Sequence, residues 1–211
     1  MTTTTNVGKS TNIAWHAGHI PREVFEQRHG QKGCVVWFTG LSASGKSTIA
    51  RAAERALFQR GLFTYVLDGD NVRHGLNSDL GFSSEDRQEN IRRIAHVSEL
   101  FMQAGIVTLS AFISPFLRDR QLAREIVGND RFLEIYVQAS VETCASRDPK
   151  GLYVKAMKGE IKDFTGVSSP YEPPLHPSLT LQTGELSIEQ CAARVMALLE
   201  KRGFIPGDVS P

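Results

Sequence analysis

At 211 residues, with 41% hydrophobic and 22% charged side chains, the chain can bury one substantial core, and its make-up excludes a disordered or fibrous class. A formal net charge of +1 excludes a global field for nucleic acid or an anionic membrane, so any bound anion must be held by local groups. The three cysteines, Cys34, Cys144 and Cys191, form no CxxC pair, which excludes a disulfide framework or zinc ribbon and points to a reducing cytoplasm.

Residues 1–32 are polar and irregular apart from a candidate short helix in PREVFEQRHG. They lack the apolar core of a secretory signal, and no apolar run in the chain reaches membrane-spanning length. Gly8-Lys9-Ser10-Thr11 has the heart of a phosphate loop, but Thr3 stands where the loop's first glycine belongs. No strand pattern precedes it and no helix pattern follows, so it reads as a decoy. His16 and His19 read as a surface pair rather than a metal site.

CVVWFT, residues 34–39, is a continuous apolar run of the kind buried on both faces of a parallel sheet. Gly40, Leu41, Ser42, Ala43, Ser44, Gly45, Lys46, Ser47 and Thr48 follow as Gly-x4-Gly-Lys-Ser-Thr, and a helix over 47–60 is stopped by Gly61. In a strand–loop–helix setting, successive backbone N–H groups cradle phosphates and the helix N-terminus adds partial positive charge. TYVLD, 64–68, is a second strand. If it persists, Asp68 and Asp70 lie on one side, at the carboxyl end where open parallel sheets bind ligands. Such a pair suits Mg²⁺ or a substrate hydroxyl; an acidic turn is the plainer alternative. Arg73, Arg87, Arg92 and Arg93 crowd the next segment with forks suited to phosphate or sulfate, although a solvated helix face accounts for at least one of the last two.

A long helix is expected over 85–104, with Ser83 and Asp86 at capping-box spacing. Strand 106–113, helix 116–128, strand 132–139 and a short helix 141–147 follow. Residues 147–177, rich in Gly, Pro and Lys, read as a mobile excursion; DPKG within it mimics a GTPase DxxG, but no NKxD follows. Strand 179–183 precedes a last helix, 188–202, with an apolar face and a Ser187/Gln190 capping box. The alternation predicts an α/β fold of three layers, a parallel sheet with helices on both faces. One domain is expected: a polar extension over 1–32, a kinase domain over 33–205 with a lid at about 148–170, and a tail over 206–211.

The segments GLSASGKST, LDGDNVRHGLNSDLGF, RQENIRRI, FISP, RDPKGLY, DFTG and PYE occur in the order found in adenylylsulfate kinases, a resemblance that runs from WHAGH to the last helix. It implies the P-loop NTPase fold and transfer of a phosphoryl group from ATP, with Mg²⁺, to the 3′-hydroxyl of adenosine 5′-phosphosulfate. Lys46 would then bridge the β and γ phosphates, Ser47 would ligate Mg²⁺, and Asp70 would orient the acceptor hydroxyl or share the metal shell, supported by Asp68. Arg73, Arg87 and Asn90 would hold the acceptor, Phe82 would stack on its base, and Phe112, Ile113 and Ser114 would line its pocket. The resemblance also assigns Arg147 to the ATP adenine, and Lys150, Leu152 and Phe164 to the acceptor through the lid.

A phosphoserine at Ser114 has been proposed in this family, but the sequence shows no neighbouring base, so direct in-line transfer is the simpler route. Two departures stand out. Ala43 replaces the usual glycine and is expected to preserve the loop only by avoiding positive φ. Val154 and Met157 occupy lid positions where basic residues are common, which predicts a looser hold on ATP. The family likeness further implies a homodimer and leaves room for a separate ATP sulfurylase, with no membrane or nucleic-acid partner. The rival readings are a P-loop kinase for another small alcohol or nucleotide, and a catalytically silent nucleotide-binding module.

Overall fold

The computed structural model describes residues 12–14 and 16–207. The Gly8–Thr11 sequence therefore lies outside the described residues. Five parallel strands form one sheet: β1 (Cys34–Thr39), β2 (Thr64–Asp68), β3 (Val107–Ala111), β4 (Phe132–Gln138) and β5 (Leu179–Gln182), in the spatial order β2-β3-β1-β4-β5. Central β1 pairs with β3 on one side and β4 on the other, and all six of its residues are buried. That is why its sequence is apolar throughout rather than alternating.

The period-two geometry of β1 feeds two cores. Val36 and Phe38 face α2 (Lys46–Gln59) and α8 (Ile188–Lys201), packing with Ile49, Ala53, Leu57, Val195 and Leu199. Val35 and Trp37 face α4 (Ser84–Gln103) and α5 (Leu117–Val127), packing with Ile91, Ile94, Ala123 and Val127. Helix α1 (Arg22–His29) docks at the amino-terminal end of the sheet. Just after it, Gln31 donates to the Phe63 and Gly105 carbonyls at 2.8 and 2.9 Å and accepts from the Phe63 N–H at 2.7 Å.

The Ser187/Gln190 capping box closes in both directions. At α4 only half of it forms: Ser83 Oγ accepts from the Asp86 N–H at 3.1 Å, because aspartate is one methylene shorter than the glutamate that would reach back. Strand β2 does not persist to Asp70, the condition for the pair to share a strand face. The strand stops at Asp68, whose carboxylate accepts from the Asp70 N–H at 3.0 Å and caps a short helix, α3 (Gly69–Val72). The shared side of Asp68 and Asp70 thus comes from a cap, not from strand alternation. After α6 (Val141–Arg147), the 147–177 stretch is not irregular throughout, since it contains α7 (Leu152–Met157). Among the described residues no helix is long and apolar enough to cross a membrane.

Candidate active site

The loop after β1 is shaped by two glycines. Gly40 has φ 149°, and a Cβ there would fall 2.4 Å from the Val137 carbonyl oxygen, so no side chain is tolerated. Gly45, at φ 104°, precedes α2 and offers no side-chain cap, which leaves the first amides of that helix free for an anion. Lys46 sits in the first turn of α2, nearly buried, its Nζ donating to the Leu41 carbonyl at 2.6 Å. Burial pulls its pKa down to about 8, partly offset by the Asp68 and Asp70 carboxylates. Ser44 Oγ is buried with no hydrogen-bond partner among the described residues. A buried ammonium held by one neutral carbonyl beside an orphaned hydroxyl is a cradle suited to phosphate oxygens.

Ala43 corrects the sequence expectation. It adopts φ 58° and the loop keeps its shape, so the left-handed strain, about 1 kcal/mol, is carried rather than avoided. Two neighbours hold the loop: the Tyr153 hydroxyl donates to the Ser42 carbonyl at 3.0 Å, and Thr183 Oγ1 donates to the Ser44 carbonyl at 2.9 Å.

Across the cavity, Asp70 is exposed and forms an ion pair with Lys150, while Asp68 is buried beneath it. Arg73 donates to the Leu80 and Gly81 carbonyls at 2.9 and 2.8 Å, and its guanidinium lies 4.4 Å over the exposed Phe82 ring. Arg87 donates to the carbonyls of Phe82 and Asp163, both at 2.9 Å, and to Thr165 Oγ1 at 3.1 Å, joining α4 to the lid. Asn90 is buried and accepts from Asn77 Nδ2 at 2.9 Å. Arg92 and Arg93 instead pair with Glu89 and Asp79 on the outer face. Both belong to the solvated set.

Ser114 follows β3 with φ 39°, and its Oγ accepts from Trp37 Nε1 at 3.0 Å. Among the described residues no carboxylate or imidazole bonds that hydroxyl, which supports direct transfer over a covalent route. Arg120, 2% exposed, holds the segment from beneath: it donates to Glu134 at 2.7 Å, to the Ser114 carbonyl at 2.6 Å and to the Glu172 carbonyl at 2.7 Å. Arg147 reaches Thr183, with contacts of 3.1 Å to Oγ1 and 2.5 Å to the carbonyl.

All the expected site residues except Gly40 and Leu41 line one cavity of about 1210 Å³. Gly40 lies behind it against Val137, and Leu41 joins a small core with Cys144, Tyr153, Ala156 and Phe164. Val154 and Met157 are exposed and do not line the cavity. The sequence reading missed Trp37, Asp148, Tyr153, Thr165 and Thr183, which orient the residues it named. Asp148 left a legible signal: an aspartate four residues before a helix start, whose carboxylate accepts from the Leu152 and Tyr153 amides at 2.8 and 2.9 Å.

Among the described residues no three acidic, histidine or cysteine side chains cluster as a metal cage. The donor set suits an ion that arrives with phosphates, keeps its waters and takes one hydroxyl and a carboxylate, as Mg²⁺ does.

Comparison with known proteins gives a consistent result. The family model for adenylylsulphate kinase matches residues 32–182. The adenylyl-sulfate kinase of Prochlorococcus marinus is 56% identical over 191 residues, covering 90% of this chain and 95% of that protein. That of Acaryochloris marina is 54% identical over 197 residues, covering 93% and 96%. The structure of the Mycobacterium tuberculosis APS kinase CysC in complex with AMPPNP and APS superposes with a TM-score of 0.77 at 49% identity, covering 81% of this chain and 99% of that one.

Proposed function

The chain belongs to the adenylylsulphate kinase family, and from that premise we infer that it transfers the γ-phosphoryl group of ATP to the 3′-hydroxyl of adenosine 5′-phosphosulfate. One observation carries the reading: a phosphate loop and an arginine- and aromatic-lined acceptor face open into the same cavity. At about 1210 Å³ it exceeds the range of roughly 300–1,000 Å³ that serves a single small ligand, as a site for two nucleotides should.

In this reading Lys46 exchanges the Leu41 carbonyl for phosphate oxygens, which restore the charge that burial disfavours. Ser47 and Asp70 would hold Mg²⁺, which screens the charge of the triphosphate and of the group in transit. Asp70, freed from Lys150, orients the acceptor hydroxyl, and Asp68 fixes the Asp70 backbone by accepting its N–H. Arg73 and Arg87 hold the phosphosulfate, Asn90 contacts the nucleoside, and Phe82 and Phe164 flank its base. Phe112, Ile113 and Ser114 form the floor, Lys150 and Leu152 the lid contacts, and Arg147 covers the ATP adenine. Phosphoryl transfer passes through a loose transition state, so positioning and charge matter more than a strong base. A closed lid excludes the water that would otherwise hydrolyse ATP. We place the enzyme in the cytoplasm as a homodimer.

The test is ADP release with ATP, Mg²⁺ and a panel of acceptors. Turnover with adenylyl sulfate and not with thymidylate or gluconate is the expected result. Preference for another acceptor, or nucleotide binding without turnover, would overturn it.

A further inference from the structure

One side chain touches both halves of the cavity without lining it. Tyr153, on α7, is 1% exposed. Its hydroxyl donates to the Ser42 carbonyl at 3.0 Å, and its ring meets Phe164 edge-on, with centroids 4.9 Å apart and planes at 79°. Its own N–H is held by the Asp148 carboxylate at 2.9 Å, which fixes the start of α7 at the root of the lid. The same small core contains Leu41 of the phosphate loop and, partly buried, Ala43.

The bond to Ser42 has a direct consequence for the loop. In a trans peptide the carbonyl of one residue and the N–H of the next point to opposite sides. Holding the Ser42 carbonyl toward α7 therefore turns the Ala43 N–H the other way, and Ala43 lines the cavity. The peptide it belongs to is the one set against left-handed strain at Ala43, with φ 58°. An outside restraint is needed at that point in a chain that lacks the usual glycine. Burial pushes the Tyr153 phenol above the ordinary tyrosine range, so the hydroxyl remains a donor through neutral pH.

We propose that Tyr153 is a positioning residue that couples the two substrates: it sets the Ser42–Ala43 peptide for the ATP phosphates and, through Phe164, ties that setting to the lid face that meets the acceptor. ATP binding thereby favours the lid position that receives adenylyl sulfate, and by reciprocity the acceptor favours ATP. The inference rests on the reaction assigned above for the identity of the acceptor.

The experiment is calorimetric titration of AMPPNP into wild type and Tyr153→Phe, each with and without saturating adenylyl sulfate. In wild type the acceptor should tighten AMPPNP binding by about tenfold or more. In Tyr153→Phe that ratio should shrink by about fivefold or more toward one, a coupling change within the usual allosteric range. AMPPNP alone should also bind about tenfold more weakly, the scale of one lost hydrogen bond. An unchanged ratio would overturn the proposal. A merely structural role for the hydroxyl would lower the thermal midpoint and leave the ratio intact. Phe164→Leu, which keeps the Ser42 bond but removes both the edge contact and a side chain assigned to the acceptor base, should shrink the ratio; an intact ratio there also counts against the proposal. Failure of adenylyl sulfate to bind wild type would refute the acceptor reading instead. In that case the AMPPNP affinities alone decide, and equal values in wild type and Tyr153→Phe overturn the positioning role.

Discussion

The two halves of the cavity that the proposed reaction assigns to donor and acceptor are built differently. The donor half is one stretch, 40–48, whose strand–turn–helix setting supplies backbone amides and one ammonium. The acceptor half collects Asp70 from α3, Arg87 and Asn90 from α4, Ser114 from the exit of β3 and Phe164 from the lid. Its alignment depends on contacts between distant segments, such as Arg87 with Thr165 and Trp37 with Ser114. A site made by backbone geometry tolerates side-chain change so long as the turn survives, as Ala43 illustrates. A site made by converging side chains loses one function with each side chain removed.

That contrast can be broken most forcefully at Lys46, whose ammonium the proposed reaction assigns to the triphosphate. Lys46→Ala should lower kcat/KM by about 10³-fold while far-UV circular dichroism keeps its wild-type form. Activity within tenfold of wild type would mean the amides suffice on their own. Arg73→Ala should raise the acceptor KM by about 10- to 100-fold, the scale of a lost charged hydrogen bond, and leave the ATP KM within about twofold. An equal rise in both constants would erase the division between the halves.

A gentler probe is pH. Lys46 in the free enzyme titrates at about 8, and only its protonated form attracts the triphosphate. Above that pH the protonated fraction falls, so kcat/KM for ATP should decline toward about tenfold per unit, with kcat flatter because bound phosphates raise the pKa. A limb of equal steepness in both parameters would place the titrating group elsewhere. The smallest effect is expected at Ala43→Gly, which removes left-handed strain: about 1 kcal/mol of added stability by denaturant melt, and an ATP affinity changed by less than about threefold. Destabilisation there would show that the methyl group's packing outweighs its strain.

The donor half was legible because its signal is contiguous. CVVWFT announces a doubly covered strand, and Gly40 and Gly45 mark turns that only glycine can make. The sheet was legible for the same reason, since each strand is a short apolar run between turn signals. Asp68 and Asp70 were named for the right region on the wrong geometry: period-two reasoning could not see that Asp68 would bend back to cap α3. Helix α7 escaped notice because its first turn is fixed by Asp148 across a left-handed Gly151, not by a cap directly before it. Trp37 read as an ordinary core aromatic, and nothing local indicates that its indole N–H steadies Ser114 77 positions away. Families of like sequence supplied names for the acceptor residues; the contacts that orient them belong to tertiary structure.

Arg120 carries one more implication. A single interior guanidinium is shared by Glu134 of β4, by the turn after β3 and by the stretch leaving the lid at Glu172. Losing Glu134 would strand a desolvated charge at a cost of about 3–5 kcal/mol, and releasing either carbonyl would give up a charged hydrogen bond of about 1.5–3 kcal/mol. The far root of the lid is thus part of the same cooperative unit as the sheet, and heat should release it only when the whole domain melts. If the segment proposed as a lid swings, this keystone ion moors its trailing end and sets the point from which it would pivot.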